Sequence, residues 1–411
     1  MKTDLDPLMQ SADIDALLVT GAGMHNPPMV YFTGRAHLGS ADLIKPRGRA
    51  PVLFYNSMER DEAARTGLQT KGYDDYPFSE LLKQAGGDAV KATVLRYQHM
   101  LSDLGITAGR IALYGQVDAG AAYAIFTGLQ RALPGLEFVG QTDDSLLLQA
   151  RLTKDEAEIE RIRGIGKITT QVVGLTADFL SSQRLRDGVL LRPDGEPLTI
   201  GEVKQRINLW LAERGAENPE GMIFAMGYDS AVPHSTGDDA SPLRLGETIV
   251  FDIYPCEAGG GYFYDMTRTW CLGYAPDEAL ALYEDVHAVY HQMLAELKPG
   301  AQAPQLQKRT CELFEALGHP TVRSDSKTQR GYVHSLGHGV GLDIHERPRF
   351  GRNATPQDTL EPGSVVTHEP GLYYPERKLG VRLEDTYWIR PDGQPEALAE
   401  YPHDLVIPVK G

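Results

Sequence analysis

The hydrophobic positions of this chain change period along its length. In the first third, short apolar runs alternate with helical patterns. Residues 16–19, 29–32, 51–55 and 110–114 read as buried strands, and residues 57–65, 89–103 and 117–133 as helices. Strands interleaved with helices predict an α/β domain. Near residue 153 the pattern shifts. Ile159, Ile162, Ile165, Ile168, Val172, Leu175 and Phe179 recur at steps of three or four, the apolar face of one long helix. The charged Lys154-Asp155-Glu156 at its head reads as a domain entry, so the boundary is placed near residue 152.

Residues 181–197 are rich in Arg, Gly, Pro and Asp and read as a loop. Thr199 and Glu202 have the spacing of a capping box, which opens a helix to about Glu213. Residues 222–227 make a short strand, followed by a polar loop with His234. Residues 248–254 and 262–271 are strong strand patterns joined by a glycine-rich loop, as in a hairpin. Two amphipathic helices follow, one carrying Leu282, Val286, Val289, Met293 and Leu297, the other Leu306, Leu313, Phe314 and Leu317, with Gly318 as a stop. Residues 364–369 and 381–389 read as two further strands. The expectation is an α/β N-terminal domain over 1–152 and an α+β domain over 153–411.

Composition narrows the function. The 411 residues are 42% hydrophobic and 23% charged, as in an ordinary globular protein, and the formal net charge is −16. That balance argues against a general nucleic-acid binder or an anionic-membrane binder, either of which needs a basic face. It permits hard-cation ligation by carboxylates. Cys256, Cys271 and Cys311 are too few and too widely spaced for a disulfide framework or a zinc knuckle. With no apolar signal core at the N-terminus and no run of 18 apolar residues, they predict a cytoplasmic protein without a membrane partner.

The candidate chemistry centres on residues 331–346, where His334, His338 and His345 lie among Gly337, Gly339 and Gly341. Alternating glycines disfavour a helix, so a loop or strand edge is expected to deliver imidazoles into a site. Four acids fall within strand patterns, where acids are depleted: Asp252, Asp265, Glu369 and Glu384. Strand alternation puts Asp252 on a face with Val250 and Tyr254, Asp265 with Thr267 and Thr269, and Glu384 with Arg382 and Thr386. Each acid alone has an ordinary reading: a solvated hairpin residue, a partner for Arg268, a strand end or an exposed edge. Together, buried acids need a cation. Four carboxylates with one imidazole suit Mn²⁺, Co²⁺, Fe²⁺ or Zn²⁺ at a two-metal centre.

The segments Gly261-Tyr-Phe-Tyr-Asp-Met-Thr-Arg-Thr269, Gly337-His-Gly-Val-Gly-Leu-Asp-Ile-His-Glu-Arg-Pro348, Glu369-Pro-Gly-Leu-Tyr373 and Gly380-Val-Arg-Leu-Glu-Asp385 resemble the signature blocks of the pita-bread metallopeptidases. That family includes methionine aminopeptidase, aminopeptidase P, prolidase and creatinase. The resemblance is strongest over residues 153–411, and the N-terminal third is similar in character to that of the creatinase/prolidase branch. It implies Asp252, Asp265, His338, Glu369 and Glu384 as ligands of two divalent ions, which activate a water between them. It implies Glu369 as general base, and His345 and His234 as histidines that contact substrate and steady the oxyanion. His334 would be a further pocket histidine, with Arg382 and Thr267 supporting the ligands. A homodimer acting on short peptides is also implied.

Two features depart from the family pattern. Asp252 and Asp265 stand thirteen positions apart, a longer spacing than usual, with the extra residues in 256–260. The arginine that binds a substrate carboxylate in prolidases aligns here with Arg349, with Arg352 or with neither. The expectation is a binuclear peptidase releasing an N-terminal residue before proline. The alternatives are an aminopeptidase, dipeptidase or carboxypeptidase without proline preference, a creatinase-like C–N hydrolase, or a scaffold that binds without catalysis.

Overall fold

The computed structural model describes residues 4–142 and 145–410. Residues 1–3, on which part of the N-terminal leader reading rests, lie outside them. The chain divides into two compact units. One runs to Ala150 and takes in Gly259–Gly261; the other comprises Arg151–Ala258 and Tyr262–Gly411.

The first unit is built on a six-stranded sheet in the order Gln69–Gly72, Val52–Tyr55, Ala41–Pro46, Ala16–Gly21, Gly109–Gln116, Leu136–Gly140. Its central strand Ala16–Gly21 is covered on both faces, so it reads as a continuous apolar run rather than an alternation. Helices Ala89–Asp103 and Ala119–Ala132 begin where expected, each capped by an aspartate, Asp88 or Asp118, that accepts from a first-turn backbone N–H. Residues 29–32 correct the expectation: they lie in a helix, Pro27–Thr33, not a strand. Pro27 and Pro28 occupy its first positions, where a fixed φ favours helix and the missing N–H costs nothing. Its buried side chains make a short apolar run that resembles a strand in sequence.

The second unit opens with the helix Glu156–Ser181, held by a reciprocal capping box between Asp155 and Glu158. Helix Ile200–Ala212 opens on the expected Thr199–Glu202 box. Residues 181–197 are not all loop. Strands Arg184–Arg186 and Val189–Leu191 form a hairpin turned by Asp187 and Gly188, both at positive φ (51° and 76°).

Two sheets carry the chemistry. One has the order Met222–Met226, Thr248–Ile253, Met266–Leu272, Val406–Ile407. The other runs Glu346–Arg349, His338–Gly339, Val365–His368, Asp385–Ile389, Pro395–Ala397. Helices Asp277–Leu294 and Ala303–Ala316 bury Val286, Val289, Met293 and Phe314 in a core shared with Leu336, Val366 and Val381. The expected strand over 381–389 breaks in two. Leu379–Arg382 pairs with Gly371–Tyr374, Asp385–Ile389 pairs with Val365–His368, and Glu384 sits at the break. Likewise the regular strand begins at Met266, leaving Asp265 at its entry. Among the described residues, no helix is long and apolar enough to cross a membrane.

Candidate metal centre

Strand register draws the acids together. Thr267 lies opposite Asp252 on the neighbouring strand and bridges to Glu384 on its other side. His368 pairs with Asp385, so Glu369 and Glu384 follow and precede paired positions. Gly339 pairs with Val366, and the His338 N–H donates to Thr367 Oγ1 (3.0 Å). Asp252, Asp265, His338, Glu369 and Glu384 therefore face one cavity of about 390 Å³, which His234, His334, His345 and Arg382 also line. The longer spacing between Asp252 and Asp265 does not keep them apart. The carboxylate that Arg268 binds is that of Asp385 (2.8 Å).

The glycines between the histidines sit where a side chain would not fit. A Cβ on Gly337 would lie 2.2 Å from Thr367 O, and one on Gly339 would lie 1.9 Å from Arg347 O. One on Gly341 would meet the Glu346 carboxylate at 2.4 Å. The requirement is close packing against neighbouring strands and against Glu346.

Hydrogen bonds orient the acids. Arg382 Nη2 donates to Asp252 Oδ2 (2.5 Å), and Arg382 Nε donates to Thr267 Oγ1 (3.1 Å). Thr267 Oγ1 in turn donates to Glu384 Oε2 (2.6 Å). Thr367 Oγ1 donates to Glu369 Oε1 (3.2 Å). Asp252 Oδ1 and Asp265 Oδ1 are buried without a hydrogen-bond partner. Burial and mutual repulsion push the Asp265 and Glu384 carboxyls well above the usual carboxylate range. Burial raises Glu369 to about 8, with Asp252 adding to the rise and Arg382 opposing it. Positive charge is what such a cluster lacks.

The histidines fall into distinct roles. His338 Nδ1–H donates to the Gly339 carbonyl (3.0 Å), which turns Nε2 toward Asp265 Oδ2 (3.6 Å) and Glu369 Oε1 (3.5 Å). A backbone carbonyl on Nδ1 fixes the tautomer that leaves Nε2 free for a metal. Burial holds His338 at about 3, so the ring is neutral, as a ligand must be. Ligand atoms of Asp265, His338 and Glu384 lie within 4.8 Å of one another. His334 has both nitrogens engaged: Nδ1 donates to Ser335 O (2.7 Å), and Nε2 accepts from Tyr373 OH (2.9 Å). Tyr373 OH accepts from Arg382 Nη1 (2.8 Å), extending the network from Asp252 to His334. His345 packs against His338 with ring centroids 4.3 Å apart. Burial lowers its pKa.

Neither Arg349 nor Arg352 lines the cavity. Arg352 donates to Ser326 O instead. The guanidinium at the cavity wall is that of Arg382, already bound to Asp252.

Several residues escaped the sequence reading. Glu220 puts a further carboxylate in the cavity wall. Tyr373 was visible within the Glu-Pro-Gly-Leu-Tyr block but carried no signal of its role. Arg151 and Lys154, in the residues that lead into the long helix, clasp Glu346, the neighbour of His345. Lys154 Nζ lies 2.9 Å from Glu346 Oε2, and Arg151 Nη2 lies 2.6 Å from Asp343 Oδ2. Glu346 Oε1 also accepts from the Leu342 N–H (2.8 Å). These cations hold its carboxyl down at about 2 against the penalty of burial.

A cavity of four acids and one oriented imidazole is a donor set suited to divalent metal. Residues 160–391 match the profile of metallopeptidase family M24, and the chain belongs to that family. It is 30% identical over 251 residues to the Xaa-Pro dipeptidase of Pyrococcus furiosus, a match spanning 61% of this chain and 64% of that protein, less than two thirds of its length. The fold resembles that of the dipeptidase from Pyrococcus horikoshii OT3, with TM-score 0.74 at 22% identity over 98% of both chains. It also resembles the X-Pro aminopeptidase from Thermotoga maritima MSB8, with TM-score 0.73 at 25% identity, covering 97% of this chain and 99% of that one. The second unit has the pita-bread fold.

Proposed function

We propose that the chain is a metal-dependent peptidase that removes the N-terminal residue of short peptides, preferentially before proline. The observation that carries this reading is the joint burial of Asp252, Asp265, Glu369 and Glu384 around His338 Nε2, with two carboxylate oxygens left unpartnered. Asp252, Asp265, His338, Glu369 and Glu384 would hold two divalent ions, with Mn²⁺, Co²⁺, Zn²⁺ and Fe²⁺ all compatible with an oxygen-rich, single-imidazole set. When bound, such ions supply Lewis acidity and a water acidic enough to act as nucleophile near neutral pH.

The remaining work falls to the protein. Glu369, whose Oε1 lies 3.5 Å from His338 Nε2 in the same cavity, would take a proton from the nucleophile and pass it to the leaving amine. His345 and His234 line the cavity, where an imidazole N–H can donate to the carbonyl oxygen as it gains charge. Arg382 and Thr267 keep the carboxylates in place, and His334 is locked by Tyr373 and Ser335 as a fixed wall of the substrate side. Glu220 offers its carboxylate to the ammonium group of a peptide N-terminus.

Proline preference is supported by the Pyrococcus furiosus relative, whose name is Xaa-Pro dipeptidase. Neither Arg349 nor Arg352 is among the residues that line the cavity, and the length of the peptide is left to the test below. The chemistry is assigned to residues 153–411 and a supporting role to residues 1–152. The reduced, buried state of Cys256, Cys271 and Cys311 supports a cytoplasmic setting. A homodimer rests on the family resemblance alone.

The test is a panel of Xaa-Pro dipeptides, longer Xaa-Pro peptides and peptides without proline, incubated with Mn²⁺, Co²⁺ or Zn²⁺ and read by mass. The reading predicts loss of one N-terminal residue, fastest from Xaa-Pro peptides. C-terminal trimming, or equal rates without proline, would overturn the specificity while leaving the metal chemistry standing.

A further inference from the structure

A second cluster of potential ligands lies outside the carboxylate cavity. His287 and His291 stand four residues apart on the helix Asp277–Leu294, so they share one face. Their Nε2 atoms are 3.1 Å apart. The third member, His403, comes from the irregular segment before the last short strand, and one ring nitrogen from each histidine lies within 4.8 Å of the other two. In a tetrahedral zinc site with Zn–N near 2.0–2.1 Å, neighbouring ligand nitrogens are about 3.3 Å apart. The His287–His291 pair is already close to that spacing.

The surroundings match a metal site as well. His403 Nε2 donates to Asp385 Oδ2 (2.9 Å). Asp385 is itself fixed by Arg268 Nη2 (2.8 Å) and by Tyr290 OH (2.6 Å). A carboxylate behind a ligating imidazole orients the ring and raises its basicity toward the metal. A cavity of about 550 Å³, lined by His291, His403, Asp385 and Glu400, adjoins the cluster and leaves room for a water as fourth ligand.

We propose that His287, His291 and His403 form a separate transition-metal site that takes a borderline divalent cation such as Zn²⁺. Three imidazoles and a water favour Zn²⁺, Ni²⁺ or Cu²⁺ over the harder ions that an oxygen-rich centre accepts. Occupancy ties the His403 segment to the helix Asp277–Leu294, joining two pieces of chain that are remote in sequence.

The test uses the full chain, dialysed to equilibrium against Zn²⁺ alone, with bound metal counted per chain. The wild type is expected to hold one more zinc ion than the His287→Gln/His291→Gln variant. His403→Gln, in an irregular segment, should show the same deficit of one and covers the case in which the double variant fails to fold. With Co²⁺ as probe, the wild type should show visible tetrahedral absorption that both variants lack. Peptide hydrolysis with Mn²⁺ should be the same in all three proteins. Equal zinc content in wild type and His403→Gln would overturn the site. So would a zinc deficit accompanied by loss of Mn²⁺-dependent hydrolysis, because the missing ion would then belong to the carboxylate cavity.

Discussion

Replacing Glu346 with Gln keeps the shape of the side chain and removes its charge from between Arg151 and Lys154. Both cations are nearly inaccessible, as is Glu346 itself, with side-chain exposures of 4%, 1% and 1%. The Glu346 carboxyl falls from its ordinary 4.5 to about 2 in the fold. At about 1.4 kcal/mol per pH unit, that shift corresponds to roughly 3 kcal/mol of folding stability at neutral pH. The same figure follows from breaking a buried ion pair and leaving its partners charged, about 3–5 kcal/mol.

The sign follows from the depressed pKa. The contribution is complete above pH 4.5 and is lost as pH falls toward about 2. Trp210, Trp270 and Trp388 all lie in the second unit, so urea unfolding followed by tryptophan fluorescence reports on that unit alone. Glu346→Gln is expected to lose about 3 kcal/mol at pH 7, with the gap to wild type narrowing below about pH 4.5. It should also lower kcat, because Glu346 anchors the turn that presents His345. A loss below about 1 kcal/mol, the range of an exposed pair, would refute the buried-clasp argument.

Other expectations follow from the same contacts. Thr267→Val removes the hydroxyl that links Arg382 to Glu384; metal affinity should fall about 10- to 100-fold, by equilibrium dialysis, with the fold retained. Glu220→Gln should raise KM several-fold for peptides with a free N-terminus, on the order of 1 kcal/mol, while leaving kcat and N-acetylated peptides unaffected. Metal binding to chelator-treated protein must displace the proton that Glu369 holds below about pH 8, so apparent affinity should weaken by up to about tenfold per unit as pH falls from 8 to 6. A pH-independent affinity by calorimetry would contradict that linkage.

Much of the second unit was legible in the sequence because its signals are local. The capping boxes at Asp155 and Thr199 and the 3.6-residue periodicity of the helices depend on neighbours a few positions away. Acids in otherwise apolar strands marked the cavity, since a buried carboxylate without a cation is costly wherever it occurs. What escaped depended on long-range pairing. The break at Glu384 arises because Leu379–Arg382 and Asp385–Ile389 join different sheets, although alternation runs through both. The Arg151–Lys154–Glu346 clasp joins residues nearly two hundred positions apart. Residues 29–32 misled because a short buried helix and a buried strand share the same apolar run.

The most direct test of the central claim is Glu384→Gln, with bound metal and peptide turnover measured on the same sample. Glu384 is buried, held by Thr267 and within ligand range of Asp265 and His338. The account predicts that turnover of a Xaa-Pro peptide is abolished and that bound divalent metal drops below the wild-type content, in protein whose tryptophan fluorescence remains native. Full turnover with wild-type metal content would contradict it.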